Sequence, residues 1–304
     1  MRYPEKLKKG DVIGLVSPCS QISTERKAQC IKTIENLGFR VKAADNIDAV
    51  KGGFMAGDEK IRGEWINRMF ADPEVKGIFC IRGGDGGNRI TDFLDLNIIK
   101  ENPKVFVGYS DVTTLHHIFN QQCDFVTFHG PMVSSNMVDD FDKESRDGFF
   151  ASLELDGRGE YTYVEPEGME IGVAREGKAE AVITGGNLSV MCASIGTPYE
   201  IDTEGKILFI EEVGAHIGNA DRHIYQLRNA GLLHKASGII LGQFTENILD
   251  MEDYTETECI LDAIGDLNIP VMFNIQSGHG KPMICIPLGA VCKMDTEEKS
   301  IVFR

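Results

Sequence analysis

With 304 residues, 42% of them hydrophobic and 26% charged, the chain has the length and apolar content for one large domain or two of about 150 residues. Its 47 acidic side chains against 31 basic ones give a formal charge of −16, which disfavours nucleic acid and anionic membrane surfaces as general partners but leaves room for a local cationic pocket. No apolar run behind the basic N-terminal residues has the length of a signal peptide or a membrane span, and the eight cysteines are scattered singly with no CxxC pair, so the expectation is a cytoplasmic protein with reduced, mostly buried thiols.

In the first half, short apolar runs alternate with helical patterns. Val12 to Val16 has the look of a buried strand, and Thr24 to Leu37 of a helix with Cys30, Ile34 and Leu37 on one face, stopping at Gly38. Phe39–Ala43, Gly77–Ile81, Val105–Val107 and Phe125–Phe128 are further strand candidates. Helical segments are expected at Asp58–Phe70, Ile90–Leu94 and Val112–Phe119. This rhythm predicts an α/β fold with a doubly wound, mostly parallel sheet over residues 1–138, whose functional loops leave the carboxyl ends of the strands.

Residues 139–177 are polar and rich in Asp, Glu and Gly, and are expected to form a linker. Residues 178–304 predict a smaller, mixed β/α domain. Its strands are expected at Ala181–Thr184, Lys206–Ile210, Ser237–Leu241 and Val271–Phe273. Its helices are expected at Asn187–Ile195, Ala220–Ala230 and Glu256–Ile264. A closing antiparallel set is expected at Ile284–Ile286, Ala290–Met294 and Ile301–Phe303.

Chemistry concentrates in a few places. In Gly108-Tyr109-Ser110-Asp111-Val112, a serine sits between an apolar strand and a helix, the geometry of a nucleophile elbow, although Val112 stands where Gly-x-Ser-x-Gly has its second glycine. The same placement also suits a helix N-cap. Arg82-Gly83-Gly84-Asp85-Gly86-Gly87 follows a strand. It lacks the spacing of a P-loop, and fits a tight turn, a phosphate cradle or a donor to an oxyanion. Glu211 and Glu212 end an apolar strand, where a carboxylate can orient a histidine or simply face solvent. His279, flanked by Gly278 and Gly280, belongs to a loop, whereas His116 and His117 lie on a helix and His129 follows a strand. No His/Cys/Asp/Glu spacing of a metal site occurs, and no cofactor is expected.

Together these segments resemble the serine LD-carboxypeptidase (S66) family, also called muramoyltetrapeptide carboxypeptidases. Further matching segments are Gly10–Pro18, His129–Met132, Gly185–Ser189, Gly196–Tyr199, Ile207–Glu212, Asp221-Arg222, Leu241–Phe244 and Gly278–Gly280. The resemblance implies a Ser-His-Glu triad of Ser110, His279 and Glu211, with the nucleophile on the first domain and its partners on the second. It also implies backbone oxyanion donors at Gly84 and Asp111. Adjacent residues of a strand point to opposite sides, so only one of the neighbouring acids can face His279, and the resemblance implies Glu211, because the family's acid directly follows the apolar strand. Arg82 and Arg222 are candidates for the substrate carboxylate. Asp85 stands where the family has an aromatic residue. The implied substrate is a cell-wall tetrapeptide that loses its terminal D-alanine, and the implied assembly is a homodimer. Some members of the family instead hydrolyse aminoacyl-nucleotide antibiotics, and a non-catalytic ligand-binding protein on the same kind of sheet is a third reading.

Overall fold

The computed structural model describes residues 1–246 and 254–304, which two sheets organise. The apolar runs of the first half form β1 (Val12–Val16), β2 (Arg40–Ala43), β3 (Val75–Cys80), β4 (Val105–Gly108) and β5 (Thr127–His129). They are parallel neighbours in the order β5-β4-β3-β1-β2. β1 and β4 are buried along their whole length, as befits strands covered on both faces, whereas the edge strand β2 alternates between exposed and half-buried residues. Between them run α1 (Thr24–Asn36), α2 (Glu59–Ala71), α3 (Leu96–Glu101) and α4 (Thr113–Cys123). Ser23, Asp58 and Asp95 begin the first three helices by accepting backbone N–H groups that would otherwise lack partners. The fully buried ring of Phe119 (α4) meets those of Phe70 (α2) and Phe106 (β4) edge to face. Phe119 lies 4.9 Å from Phe106 and 5.4 Å from Phe70, pinning both helices onto the sheet.

The chain leaves β1 toward β2 on one side, then crosses back to β3 on the other. The strand order thus reverses between β1 and β3, and the loops after these strands meet at the carboxyl edge of the sheet, where the Ser20 N–H donates to Gly83 O.

The stretch 139–177, expected to be a linker, carries structure of its own. It contains α5 (Lys143–Leu153) and the short strands β6 (Tyr161–Thr162) and β7 (Gly172–Arg175). α5 is capped by Asp142, whose carboxylate accepts the Ser145 N–H, and it buries Phe149, Ser152 and Leu153. The composition hides this helix because its apolar stripe is narrow and the rest of it is polar.

Then come β8 (Lys178–Asn187), α6 (Leu188–Ser194), β9 (Ile207–Val213), α7 (Ile217–Asn229), α8 (Leu232–Lys235), β10 (Gly238–Thr245), α9 (Glu256–Ile264) and β11 (Val271–Phe273). The chain closes with β12 (Ile286–Leu288), β13 (Val291–Asp295) and β14 (Ser300–Phe303). The second sheet runs β6-β14-β13-β8-β9-β10-β11-β7, with β8 to β11 parallel. The expected closing set divides. β13 and β14 join this sheet antiparallel, but β12 crosses to the first sheet and pairs antiparallel with β5. Local pattern identifies a strand here but not the sheet that receives it.

β9 alternates between two cores. Ile207 and Phe209 pack with the core of the first sheet, and Leu208 and Ile210 with α6, α7 and α9. The bodies thus share an apolar seam, in which Phe209 meets the His129 ring of β5 at 5.0 Å.

Candidate active site

Ser110 lies two residues past the end of β4 and begins a single 3-10 turn (Ser110–Val112) that leads into α4. Its φ is +63°, a left-handed conformation costing a non-glycine residue about 1–2 kcal/mol. The chain reverses sharply there, and two glycines make the space. A Cβ on Gly83 would stand 2.9 Å from Ser110 Cβ and 3.1 Å from its Oγ. A Cβ on Gly108 would stand 2.8 Å from Val112 Cγ1. The second contact accounts for Val112 at the position where the usual elbow has glycine. With no side chain at Gly108, the valine fills the vacancy. Ser110 does not act as a helix cap by side chain, since no side-chain cap bond is made at this turn.

The glycine-rich segment after β3 docks on the elbow. Asp111 Oδ2 accepts the Gly87 N–H at 2.6 Å. Burial raises the Asp111 carboxyl above its ordinary value, against the bonds from Gly87 and Cys19.

The alternation of β9 continues past its apolar residues and separates the two acids. Glu211 follows the Phe209 face and is fully buried; its Oε2 lies 2.7 Å from His279 Nδ1. Glu212 follows the Leu208 and Ile210 face and braces α6. It accepts the Asn187 side-chain amide at 2.8 Å and the Ser189 N–H at 2.8 Å. His279 is 15% exposed, and its ring stands 4.7 Å from that of Tyr109, the residue before Ser110. Burial lowers the His279 pKa, but the charge and hydrogen bond of Glu211, with Glu212 and Glu246 behind them, outweigh burial and raise it above the ordinary histidine value. With Nδ1 donating to Glu211, Nε2 is the nitrogen left to exchange a proton. Serine elbow, imidazole and buried acid together suit proton transfer to and from a nucleophilic hydroxyl.

The spacing of the sequence does not reveal what holds the His279 loop. Gln243, at the end of β10, accepts the Gly280 N–H at 2.8 Å and donates to Pro282 O and Gln276 Oε1, both at 3.0 Å. Gln243→Ala is expected to cost about 1 kcal/mol per lost bond. The change is read as a lower Tm and faster amide exchange across residues 278–281.

Of the other candidate histidines, His116 and His117 are bonded elsewhere. His116 bridges Thr127 Oγ1 and Gly108 O at 2.8 and 2.9 Å, and burial lowers it to about 3. His117 is 3.1 Å from Gly185 O on β8 and is lowered by burial to about 4. His129 is fully buried, edge-on to Tyr109 at 5.7 Å. Arg82 is exposed directly before Gly83. Arg222 is exposed on α7 and bonded to Asn219 in the preceding turn. Among the described residues no group of three or more His, Cys, Asp or Glu is placed to hold a metal ion, and no helix is long and apolar enough to cross a membrane. All eight cysteines are free and buried.

Residues 13–130 match the family model of the LD-carboxypeptidase N-terminal domain (peptidase S66), and residues 180–294 that of the C-terminal domain. A protein of Bacillus subtilis (strain 168) named "Probable murein peptide carboxypeptidase" is 36% identical, over 99% of this chain and 94% of its own. The microcin C7 self-immunity protein MccF of Escherichia coli is 27% identical over 96% of this chain and 92% of its own. The fold also matches a muramoyltetrapeptide carboxypeptidase from Oxalobacter formigenes. The TM-score is 0.83 at 24% identity, covering 96% of this chain and 97% of that one.

Proposed function

The chain belongs to the LD-carboxypeptidase (peptidase S66) family, a family of serine carboxypeptidases, and on that premise we propose that it removes the terminal D-alanine from cell-wall tetrapeptides by a Ser110–His279–Glu211 triad. The observation that carries the reading is the left-handed Ser110 just past the end of β4, next to a Tyr109 ring that packs on a Glu211-bound His279. His279 Nε2 takes the Ser110 proton as Oγ attacks the carbonyl between the L-centre of the diamino acid and D-alanine. The backbone N–H groups of Gly84 and Asp111 receive the oxyanion. Collapse of the tetrahedral intermediate breaks the C–N bond, and the amine of D-alanine leaves with the proton from His279. Water then hydrolyses the acyl-enzyme by the same proton route in reverse.

Arg82 is assigned to the terminal carboxylate of the substrate, since it is exposed at the mouth of the loop that carries Gly84, and Arg222 is the second candidate. The setting proposed is recycling of wall peptides in the cytoplasm by a homodimer that needs no cofactor. Light scattering of the purified protein tests the dimer.

A substrate panel tests the reading. A tetrapeptide ending in D-alanine is expected to be cleaved, and the same peptide ending in L-alanine to survive. Hydrolysis of an aminoacyl-sulfamoyl adenosine in place of either peptide would move the assignment to the immunity-type hydrolases. Inertness toward all three, with no labelling by a fluorophosphonate, would leave a ligand-binding protein.

A further inference from the structure

The glycine segment after β3 is held on several sides. In the turn after β1, Ser20 donates its N–H to Gly83 O at 3.0 Å, and its Oγ accepts the Asp85 N–H at 3.1 Å. Asp111, beside the nucleophile, takes the Gly87 N–H. The remaining hold is Arg62, which projects from α2 and is only 1% exposed. One nitrogen, Nη1, donates to Gly86 O at 2.8 Å and also to Pro18 O, while Nη2 lies 3.5 Å from Met55 Sδ.

Burying a guanidinium is costly, and an apolar residue would fill the same space with less penalty. Here the cation spends its hydrogen bonds on carbonyls of two loops, not on a carboxylate. These loops follow β1 and β3, the strands between which the order of the sheet reverses. Tying them together at Nη1 fixes the spacing between the Pro18–Ser20 turn and the segment that carries Gly84. Preorganised donors stabilise an oxyanion only if they are held at the geometry of the intermediate.

We propose that Arg62 is a positioning residue for the oxyanion-binding loop, clamping residues 83–87 to the turn after β1 so that the Gly84 N–H stays aimed beside Ser110. The proposal rests on the reading of Ser110 as nucleophile and Gly84 as donor.

The test compares wild type with Arg62→Met, Arg62→Lys and Phe70→Leu. The last perturbs the core side of the same helix without touching either loop. Arg62→Met is expected to lower kcat on the D-alanine tetrapeptide about 10²-fold with KM little changed, the signature of a donor lost only in the transition state. Amide exchange should quicken at residues 18–20 and 83–87. Arg62→Lys, which keeps the charge and can reach one carbonyl, should fall between Arg62→Met and wild type in both readouts, and it carries the test if Arg62→Met does not fold. Phe70→Leu should lose stability while keeping kcat and loop exchange. Wild-type exchange at residues 83–87 in a folded Arg62 variant overturns the proposal whatever the rate. If wild type neither cleaves the peptide nor takes up a fluorophosphonate, the reading of Ser110 fails, and the exchange comparison still decides whether Arg62 holds the loop.

Discussion

Ser110→Ala is expected to reduce kcat/KM for D-alanine release by about 10⁴-fold or more and to abolish fluorophosphonate labelling, with the far-UV spectrum unchanged. The substitution removes only Oγ. The elbow is held by backbone and by neighbours that do not need the hydroxyl: Gly83 below it, Val112 against Gly108, and the Asp111 bond to Gly87. Ser110→Gly separates chemistry from strain. It should be equally inactive yet gain about 1 kcal/mol of stability, because glycine adopts φ near +63° without steric cost. Substantial activity in Ser110→Ala would remove the nucleophile from the account.

Glu211→Gln should have the second largest effect, and its pH profile is as informative as its rate. Neutral His279 is the form that accepts the Ser110 proton, so kcat/KM falls as pH drops through the His279 pKa. Burial alone would put that pKa below the ordinary 6.5, but Glu211 leads the groups that raise it above this value. In wild type the acid limb should therefore have its midpoint above 6.5. Glutamine removes the charge and leaves the burial, so the midpoint should move down. The plateau rate should fall about 10³–10⁴-fold, since an amide does not stabilise the imidazolium and can turn its NH₂ toward Nδ1, which leaves the proton on Nε2. Glu212→Gln should leave the triad contact intact and disturb α6 instead, because Glu212 bonds Asn187 and Ser189. A Glu211→Gln profile with an unmoved acid limb would mean that another group sets the ionisation.

These contrasts show which features of the molecule are legible in its sequence. Strands such as β1 and β4 stand out because a sheet covered on both faces needs unbroken apolar runs. The opposite orientations of Glu211 and Glu212 follow from the two-residue period of a strand, and the structure sets Glu211 against His279 and Glu212 against α6. Long-range choices are less visible. The strand expected at Ile284–Ile286 forms two residues later, at Ile286–Leu288, and nothing local directs it to β5 across the molecule. α5 is masked by its polar surroundings, although Asp142 caps it in the ordinary way. Gln243 lies in a matching segment, Leu241–Phe244, that does not say what it holds, and Arg62 lies in none of them. Their partners lie 39 residues away at Pro282 and 24 away at Gly86, so only folding reveals what they hold.

Mass spectrometry decides both the L,D-carboxypeptidase reading and the assignment of Ser110 when a muropeptide tetrapeptide, with lysine or diaminopimelate as its diamino acid, is incubated in parallel with wild type and Ser110→Ala. Wild type should release one D-alanine, and the peptide incubated with the variant should stay intact. Intact peptide in both incubations would contradict the L,D-carboxypeptidase reading, and equal loss in both would contradict the assignment of Ser110.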